Sequence, residues 1–464
     1  MTNVVLLISD EHNPRFSSTY GHQVVDTPNM DRLAERGTVY ESAYCPSPLC
    51  VPSRTAFLTG RYTHEVQAYN NSKVIERRHP NYGGVLAAQG THTVYVGGGS
   101  NLYRDPYHLG FTELVAVERS GRGLSTTAIA AERPSGKPVK TTEAHGPVDR
   151  MYDPDRAIVD AAVEWIDTSA PTIDRPWVMT ICINPPHPPY TTEPGYWDLY
   201  RGHADLPAHG ADQESAQHPY VNDIRENSRW DYSDDLVRQL RQGYYGAVSF
   251  VDDQLGRLID AIDAGDLVED TVICYTADHG EMLGKFGLWG KCNLYEDAVR
   301  VPLIAAGPGF DPGTRATTPV TTLDLQASFF AAVGACRPEA WRGRPLQEIP
   351  ADDRQWPAFA SYHGHNVRGG AFMLRRGDWK LIYNSAAPHQ LFNLRDDPEE
   401  LVNVWPDRPD VVAGLETALR CICDSDAVER DAAAVRARQL EAVGVLRRCY
   451  GRSEGLVPWE EALN

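Results

Sequence analysis

Cys50 opens the run Cys-Val-Pro-Ser-Arg-Thr-Ala-Phe-Leu-Thr-Gly-Arg, residues 50–61, and no other stretch of the chain says as much about chemistry. A Pro two places after a Cys, then Ser and Arg, then an apolar stretch ending in Thr-Gly-Arg, predicts a loop feeding the first turn of a helix. Pro is tolerated at the first helical position, and Ser53 can satisfy local backbone groups. Cys50 therefore falls at or just before a helix N-terminus, where free N–H groups and the dipole favour an anion. Arg54, four residues on, can turn its guanidinium back to the same spot. The plain alternative is a buried or merely low-pKa thiol.

The other chemically able residues follow short apolar runs. Asp10 and Glu11 end the run Val4–Ile8, and Asp278 and His279 come shortly after Thr271–Tyr275. His187 follows Trp177–Ile183 within Asn-Pro-Pro-His-Pro-Pro-Tyr, and three glycines, residues 97–99, follow Thr93–Val96. Ligand sites in α/β sheets gather beyond the carboxyl ends of strands. Taken singly, each acidic residue reads equally well as a turn or cap residue. Together, Asp10, Glu11, Asp278 and His279 converging on the Cys50 helix start describe a cage for a divalent cation. Three carboxylates and one neutral imidazole prefer a hard or borderline ion, Ca2+ first, with Mn2+ or Mg2+ as alternatives.

Residues 50–61 and this acidic set resemble the type I sulfatases of the alkaline phosphatase superfamily, nearest to members like choline sulfatase and phosphonate monoester hydrolase. The resemblance implies that Cys50 is oxidised after synthesis to formylglycine, whose aldehyde hydrate is the nucleophile, and that a formylglycine-generating enzyme is a maturation partner. One hydroxyl of the hydrate attacks sulfur, and loss of the proton from the other expels sulfate. It implies a metal site at Asp10, Glu11, Asp278 and His279. Glu11 departs from the family pattern, being longer than Asp and charged where Gln is common. Lys291, in Gly-Leu-Trp-Gly-Lys-Cys-Asn-Leu-Tyr-Glu, matches the Lys that touches the sulfuryl oxygens, and His187 matches the His that protonates the leaving oxygen. Arg54 and Lys291 would neutralise equatorial oxygen charge. Asn71 resembles the substrate-binding Asn of the choline-sulfatase-like relatives, while Asn70 reads as a turn neighbour. The Gly-Lys-x-His common in sulfatases is absent: here stands Gly-Gly-Gly-Ser-Asn, residues 97–101. Phosphonate monoester hydrolases lack that pair too. The implied activity is sulfate monoester hydrolysis, with phosphonate monoester or phosphodiester hydrolysis as the alternative and an unmodified, non-catalytic homologue as the third reading.

Positioning such residues needs a scaffold, and the apolar runs supply one. Val4–Ile8, Thr93–Val96, Trp177–Ile183, Thr271–Tyr275 and Val301–Ala306 suit strands buried on both faces of a parallel sheet. Helical patterns alternate with them at Pro28–Arg36, after the N-cap Thr27, and at Pro154–Ile166, with Ile158, Ala161, Ala162 and Trp165 apolar. Asp234–Ile262 is the clearest helix, with a stripe from Leu236 through Tyr244, Val248 and Leu255 to Ile262. The expected fold class is α/β: a large, mostly parallel sheet sandwiched by helices. Residues 113–150 and 191–232 break the rhythm and read as lids or substrate walls, the second with Tyr196, Trp197, Tyr200 and Trp230. Past about residue 350 the texture changes. Ala371–Leu374 and Trp379–Tyr383 form a hairpin, Gln390–Leu394 a strand and Val411–Cys421 a helix. A catalytic domain of residues 1–350 and a small antiparallel-sheet subdomain of residues 351–464 follow, with His363 and His365 as residues that could border a substrate or serve structure.

Length and composition set limits. The 464 residues suffice for a large core with an appended lobe. A formal net charge of −19 argues against nucleic acid or an anionic membrane as partner and leaves a small anionic ester needing a local positive focus. Nine Cys without framework spacing argue against a disulfide scaffold. The first residues carry no basic leader pattern and no stretch has the length of a membrane span, so the expected setting is the cytoplasm. The sequence leaves a homo-oligomer open.

Overall fold

A computed structural model describes residues 2–72, 79–97, 110–116, 144–228 and 232–450, the last of these with side chains through residue 442. Trp230, most of the 113–150 excursion and the segment from Gly98 to Asn101 lie outside the described residues.

Eight strands form the main sheet: β1 (Asn3–Asp10), β2 (Gly37–Tyr40), β3 (His92–Gly97), β4 (Glu113–Val115), β5 (Trp177–Pro186), β6 (Thr271–Ala277), β7 (Leu303–Ala306) and β8 (Thr314–Ala316). Their order is β8-β2-β7-β6-β1-β5-β3-β4. β6, β1, β5, β3 and β4 run parallel. β7, expected among the parallel strands, instead runs antiparallel to both β6 and β2. It follows β6 without a crossover helix long enough to bring the chain back to the same end. An apolar run reports burial on two faces, not direction.

β1 is central, and all eight of its residues are buried. Its side chains alternate as a pleated strand requires. Val4, Leu6 and Ile8 join one core and Val5 and Leu7 the other. The second core is sealed by α1 (Pro28–Glu35), α3 (Asp153–Thr168) and α4 (Asp234–Ala264). On α3 the buried face is Val159, Ala162, Trp165 and Ile166, so Ile158 and Ala161 of the expected stripe sit at its margin. α4 spans 31 residues, started by Ser233, whose side chain accepts from Leu236 N. At Gly243 it passes so close to the strand beside it that a Cβ would lie 1.9 Å from Tyr190 O.

The first core is covered by α2 (Cys50–Thr59), α5 (Thr322–Val333) and one face of a second sheet, β9 (Pro357–Tyr362), β10 (Ala371–Arg376), β11 (Trp379–Asn384) and β12 (Gln390–Asn393), all antiparallel. The far face of that sheet, Phe359, Phe372, Leu374, Leu381 and Leu391, is covered by α6 (Pro409–Ile422) and α7 (Ser425–Tyr450). α7 has no counterpart among the expected elements. Lys380 of β11, fully buried, pairs with Glu296 at 2.8 Å and Glu400 at 2.7 Å. Within residues 191–228 the large aromatics do not stand on the exposed surface as a wall would have them. Trp197 and Tyr200 are buried, Gln242 of α4 donates to Trp197 O at 2.8 Å, and Tyr200 meets Ser249. Large aromatic rings gain most by burial, and the flank of α4 was available to receive them. Among the described residues, no helix is long and apolar enough to cross a membrane.

Candidate active site

Parallel pairing puts the ends of β1 and β6 side by side, with Ser9 opposite Ala277. Asp10 and Asp278 therefore emerge as neighbours although 268 residues separate them in sequence. α2 delivers Cys50 to the same place. The helix begins at Cys50 itself, with Leu49 as N-cap, so Pro52 is its third residue and not its first. Its missing N–H costs nothing there, since the first four amides lack intrahelical partners. Ser53 Oγ donates to Asp278 O at 2.6 Å, pinning the helix to the end of β6. Val51 N donates to Asn71 Oδ1 at 3.1 Å, so the Asn71 side chain caps the helix that bears Cys50.

Around the thiol, Cys50 Sγ lies 3.2 Å from His279 Nε2 and 3.9 Å from Asp10 Oδ1. His279 Nε2 is 3.7 Å from both Asp10 Oδ1 and Asp278 Oδ1. His279 Nδ1 donates to Gly280 O at 3.0 Å, which leaves the Nε2 lone pair facing the carboxylates. Burial pushes this imidazole down to about 4, so it is neutral at pH 7 and able to act as a ligand. Gly280 must be glycine, since a Cβ there would meet Asp297 O at 2.1 Å.

Arg54 ties the carboxylates together. Its Nε donates to Asp278 Oδ2 at 2.7 Å and its Nη2 to Asp10 Oδ2 at 3.1 Å. Burial opposes ionisation of Asp278, but Arg54 and His279 hold it below the usual carboxylate range. Asp10, desolvated and next to Asp278, is raised. The Arg54 charge is thus engaged with the acids and does not acidify the thiol. Burial, and then the Asp10 carboxylate, push Cys50 well above the ordinary thiol value. Of the plain alternative's two forms, this opposes the low-pKa thiol, while Cys50 is buried as the other form had it.

The four residues expected to hold a cation divide. Asp10, Asp278, His279 and Cys50 present ligand atoms within 4.8 Å of one another, whereas Glu11 groups with Asp10 and His187. Glu11 has a left-handed backbone, φ 71°, held by Tyr244 OH donating to its carbonyl at 2.8 Å and by Asp278 Oδ1 accepting from its N–H at 3.1 Å. This turns Glu11 Oε2 toward Lys291 Nζ, 2.5 Å away, and His187 Nε2, 3.4 Å away. Its Oε1 is buried with no hydrogen-bond partner among the described residues. Burial lifts the Glu11 carboxyl well above its usual range, with Lys291 and His187 opposing. Burial would lower Lys291, but Cys50, Glu11 and Asp10 raise it well above its ordinary value. His187 is pushed down to about 4 by burial and by Lys291, and its Nδ1 donates to Pro188 O at 2.7 Å.

Two carboxylates and one imidazole with its lone pair turned inward fit a hard divalent cation. The residues the sequence missed are those acting through others. Tyr244, read as part of an apolar stripe, also accepts from Asn13 N at 2.9 Å and so shapes the Glu11 turn. Glu281 accepts from Gly290 N at 2.6 Å and Leu283 N at 2.8 Å, folding back the segment that carries Lys291. Its place three residues after Asp278 was the available signal. His363, with a side chain 2% exposed, packs against the Tyr69 and Phe372 rings. His365 Nε2 lies 3.8 Å from Cys292 Sγ, next in sequence to Lys291.

A family description reading "Sulfatase" matches residues 2–335, and one reading "N-sulphoglucosamine sulphohydrolase, C-terminal" matches residues 284–422. Arylsulfatase K of Danio rerio is 28% identical over 456 residues, covering 92% of this chain and 85% of that protein. Choline-sulfatase of Rhizobium meliloti is 27% identical over 428 residues, 87% of this chain and 82% of that one. Phosphonate monoester hydrolase from Silicibacter pomeroyi superposes with a TM-score of 0.71 at 25% identity, covering 90% of this chain and 94% of that one. A protein solved with its substrate D-glucosamine-2-N,6-O-disulfate superposes with a TM-score of 0.72 at 20% identity, over 93% of this chain and 98% of that one.

Proposed function

We propose that this chain, which belongs to the sulfatase family, hydrolyses sulfate monoesters at the Cys50 site, with residue 50 converted to formylglycine and one divalent cation beside it. The observation that carries this reading is the convergence of Asp10, Asp278 and His279 on the side chain at the first turn of α2. When bound there, the cation would acidify an attacking hydroxyl and neutralise charge on sulfuryl oxygens. Asp10, Asp278 and His279 would hold it, with Glu11 at its edge.

The remaining work falls to the chain's own groups. Arg54 keeps Asp10 and Asp278 side by side against their mutual repulsion. Lys291 uses one of its three donors on Glu11, leaving two for anionic oxygens. His187 rests neutral with its proton on Nδ1, so it would serve as general acid by first taking up a proton at Nε2, which faces Glu11 Oε2 at 3.4 Å. A sulfate monoester is a monoanion, whose oxygens the cation, Arg54 and Lys291 would neutralise locally.

A phosphonate monoester or a phosphodiester is also a monoanion. That second reading is favoured by the missing Gly-Lys-x-His at residues 97–101 and by the Silicibacter pomeroyi relative. Eight of the nine cysteines are free thiols, which supports a reducing, cytoplasmic setting. A small anionic ester as substrate and a formylglycine-generating enzyme as maturation partner complete the proposal.

Peptide mass at residue 50, after expression with and without that enzyme, is the test. Activity toward an aryl sulfate should track the converted fraction. Cys50→Ala should be inactive, and Cys50→Ser should stall after one turnover for want of a second hydroxyl. Full multiple turnover by an entirely unmodified thiol would overturn the reading, and a faster rate on an aryl phosphonate would move it to the second.

A further inference from the structure

α7 lies beyond both matched spans, which end at residues 335 and 422, yet it packs on the loop that follows the nucleophile helix. Its inward side runs Val428, Ala432, Val435 and then Gln439, at three- and four-residue steps. All four are buried, so the stripe that ought to continue apolar ends in an amide only 4% exposed. Burying an amide is costly unless its hydrogen bonds are made. Gln439 Oε1 accepts from Asn70 Nδ2 at 2.7 Å, and Asn70 is itself 3% exposed.

The contact leads to the site in two short steps. Asn70 Oδ1 accepts from Ser72 N at 2.9 Å, which closes a tight turn around Asn71. Asn71 Oδ1 in turn accepts from Val51 N, the residue after Cys50. Two turns earlier on α7, Asp431 accepts from Gln67 Nε2 at 3.0 and 3.1 Å and from Tyr69 OH at 2.7 Å. Glu429 accepts from Gly370 N at 2.8 Å and faces His363. α7 therefore grips the loop of residues 67–72 at Gln67, Tyr69 and Asn70, and Gln439 holds the residue next to Asn71.

We infer that Gln439 is a positioning residue for the active site: through Asn70 it fixes the turn that holds Asn71 against the Val51 N–H, and so sets the orientation of the residue-50 side chain. Only the catalytic consequence rests on the proposed sulfatase reaction; the mechanical link does not. Val51 N–H lies in the first turn of α2 and its bond to Asn71 is its protection, so its hydrogen exchange reports the link directly.

The test is a double-mutant cycle in the full chain with Gln439→Met, Asn70→Ala and both together, and Arg438→Ala as an exposed control on the same helix. Loss of the buried acceptor should speed Val51 exchange by about tenfold. In converted enzyme it should lower kcat toward an aryl sulfate several-fold with KM little changed. Gln439→Met should add nothing in the Asn70→Ala background, and the control should match wild type. Where the Met variant does not fold, Gln439→Ala serves with the same readout. Unchanged Val51 exchange, or effects of the two substitutions that simply multiply, would overturn the inference. Were the wild-type chain inactive on sulfate esters, the reaction would be wrong, while Val51 exchange would still decide this link.

Discussion

Replacing Asp278 by Asn keeps the shape of the side chain and removes its charge, which makes it the sharpest probe of the cation cage. The native carboxylate accepts from Arg54 Nε at 2.7 Å and from Glu11 N at 3.1 Å. In Asp278→Asn one oxygen can still accept from Glu11, but the new NH2 confronts the Arg54 donor. Arg54 is left with Asp10 as its one remaining carboxylate partner, 3.1 Å away. Removing one partner from a buried charged set typically costs about 3–5 kcal/mol. A dication whose ligand atoms lie within 4.8 Å of one another would feel the lost charge at close range. At roughly 1.4 kcal/mol per power of ten, a loss of that size weakens cation affinity by about two to nearly four powers of ten. Turnover at sub-saturating metal should fall in parallel, and excess metal should restore only part of it, because the acids around residue 50 are rearranged. Calorimetric titration of chelator-stripped protein with Ca2+, Mn2+ and Mg2+ measures the first, and rates against metal concentration the second. An Asp278→Asn protein with wild-type metal affinity and wild-type turnover would refute the cage.

His187→Ala should reduce turnover far more for an alkyl sulfate, whose leaving alkoxide is basic, than for a nitrophenyl sulfate; equal losses would leave His187 as a packing or binding residue. A third test reads stability away from the site. Asp155, in the first turn of α3, accepts from Asn184 N at 2.8 Å, and burial lifts its carboxyl from 3.8 to about 6. Because the folded value is the higher, its favourable contribution is complete below pH 3.8 and is lost as pH rises through about 6. Asp155→Asn should therefore raise stability by about 1–3 kcal/mol at pH 7.5 and by almost nothing at pH 3.5, measured by denaturant unfolding. A gain as large in acid as at neutrality would show that ionisation is not its source.

The strands of the main sheet were legible because residues buried on both faces leave continuous apolar runs. The Val4–Ile8 run became β1, which extends to Asp10, and Thr271–Tyr275 became β6, which extends to Ala277. Val301–Ala306 was also read as a strand, but its antiparallel direction could not be, since burial has no sense of direction. The family was legible because residues 50–61 are contiguous and their types are specific to it. Long-range geometry decided the rest. Asp10 and Asp278 meet because β1 and β6 pair in register, a choice made by the core as a whole. Arg54 spans the two acids, and Glu11 turns to Lys291, because each buried charge takes the nearest partner the packed core offers. Tyr196, Trp197 and Tyr200 looked like a substrate wall in a polar, Pro-rich stretch, and it was the free flank of α4 that drew Trp197 and Tyr200 inward. Gln439 lies 369 residues from Asn70, and nothing in either neighbourhood announces the other. Local sequence encodes periodicity, caps and contiguous motifs, while the aim of a side chain depends on which distant surface arrives beside it, a term that exists only once the chain has packed.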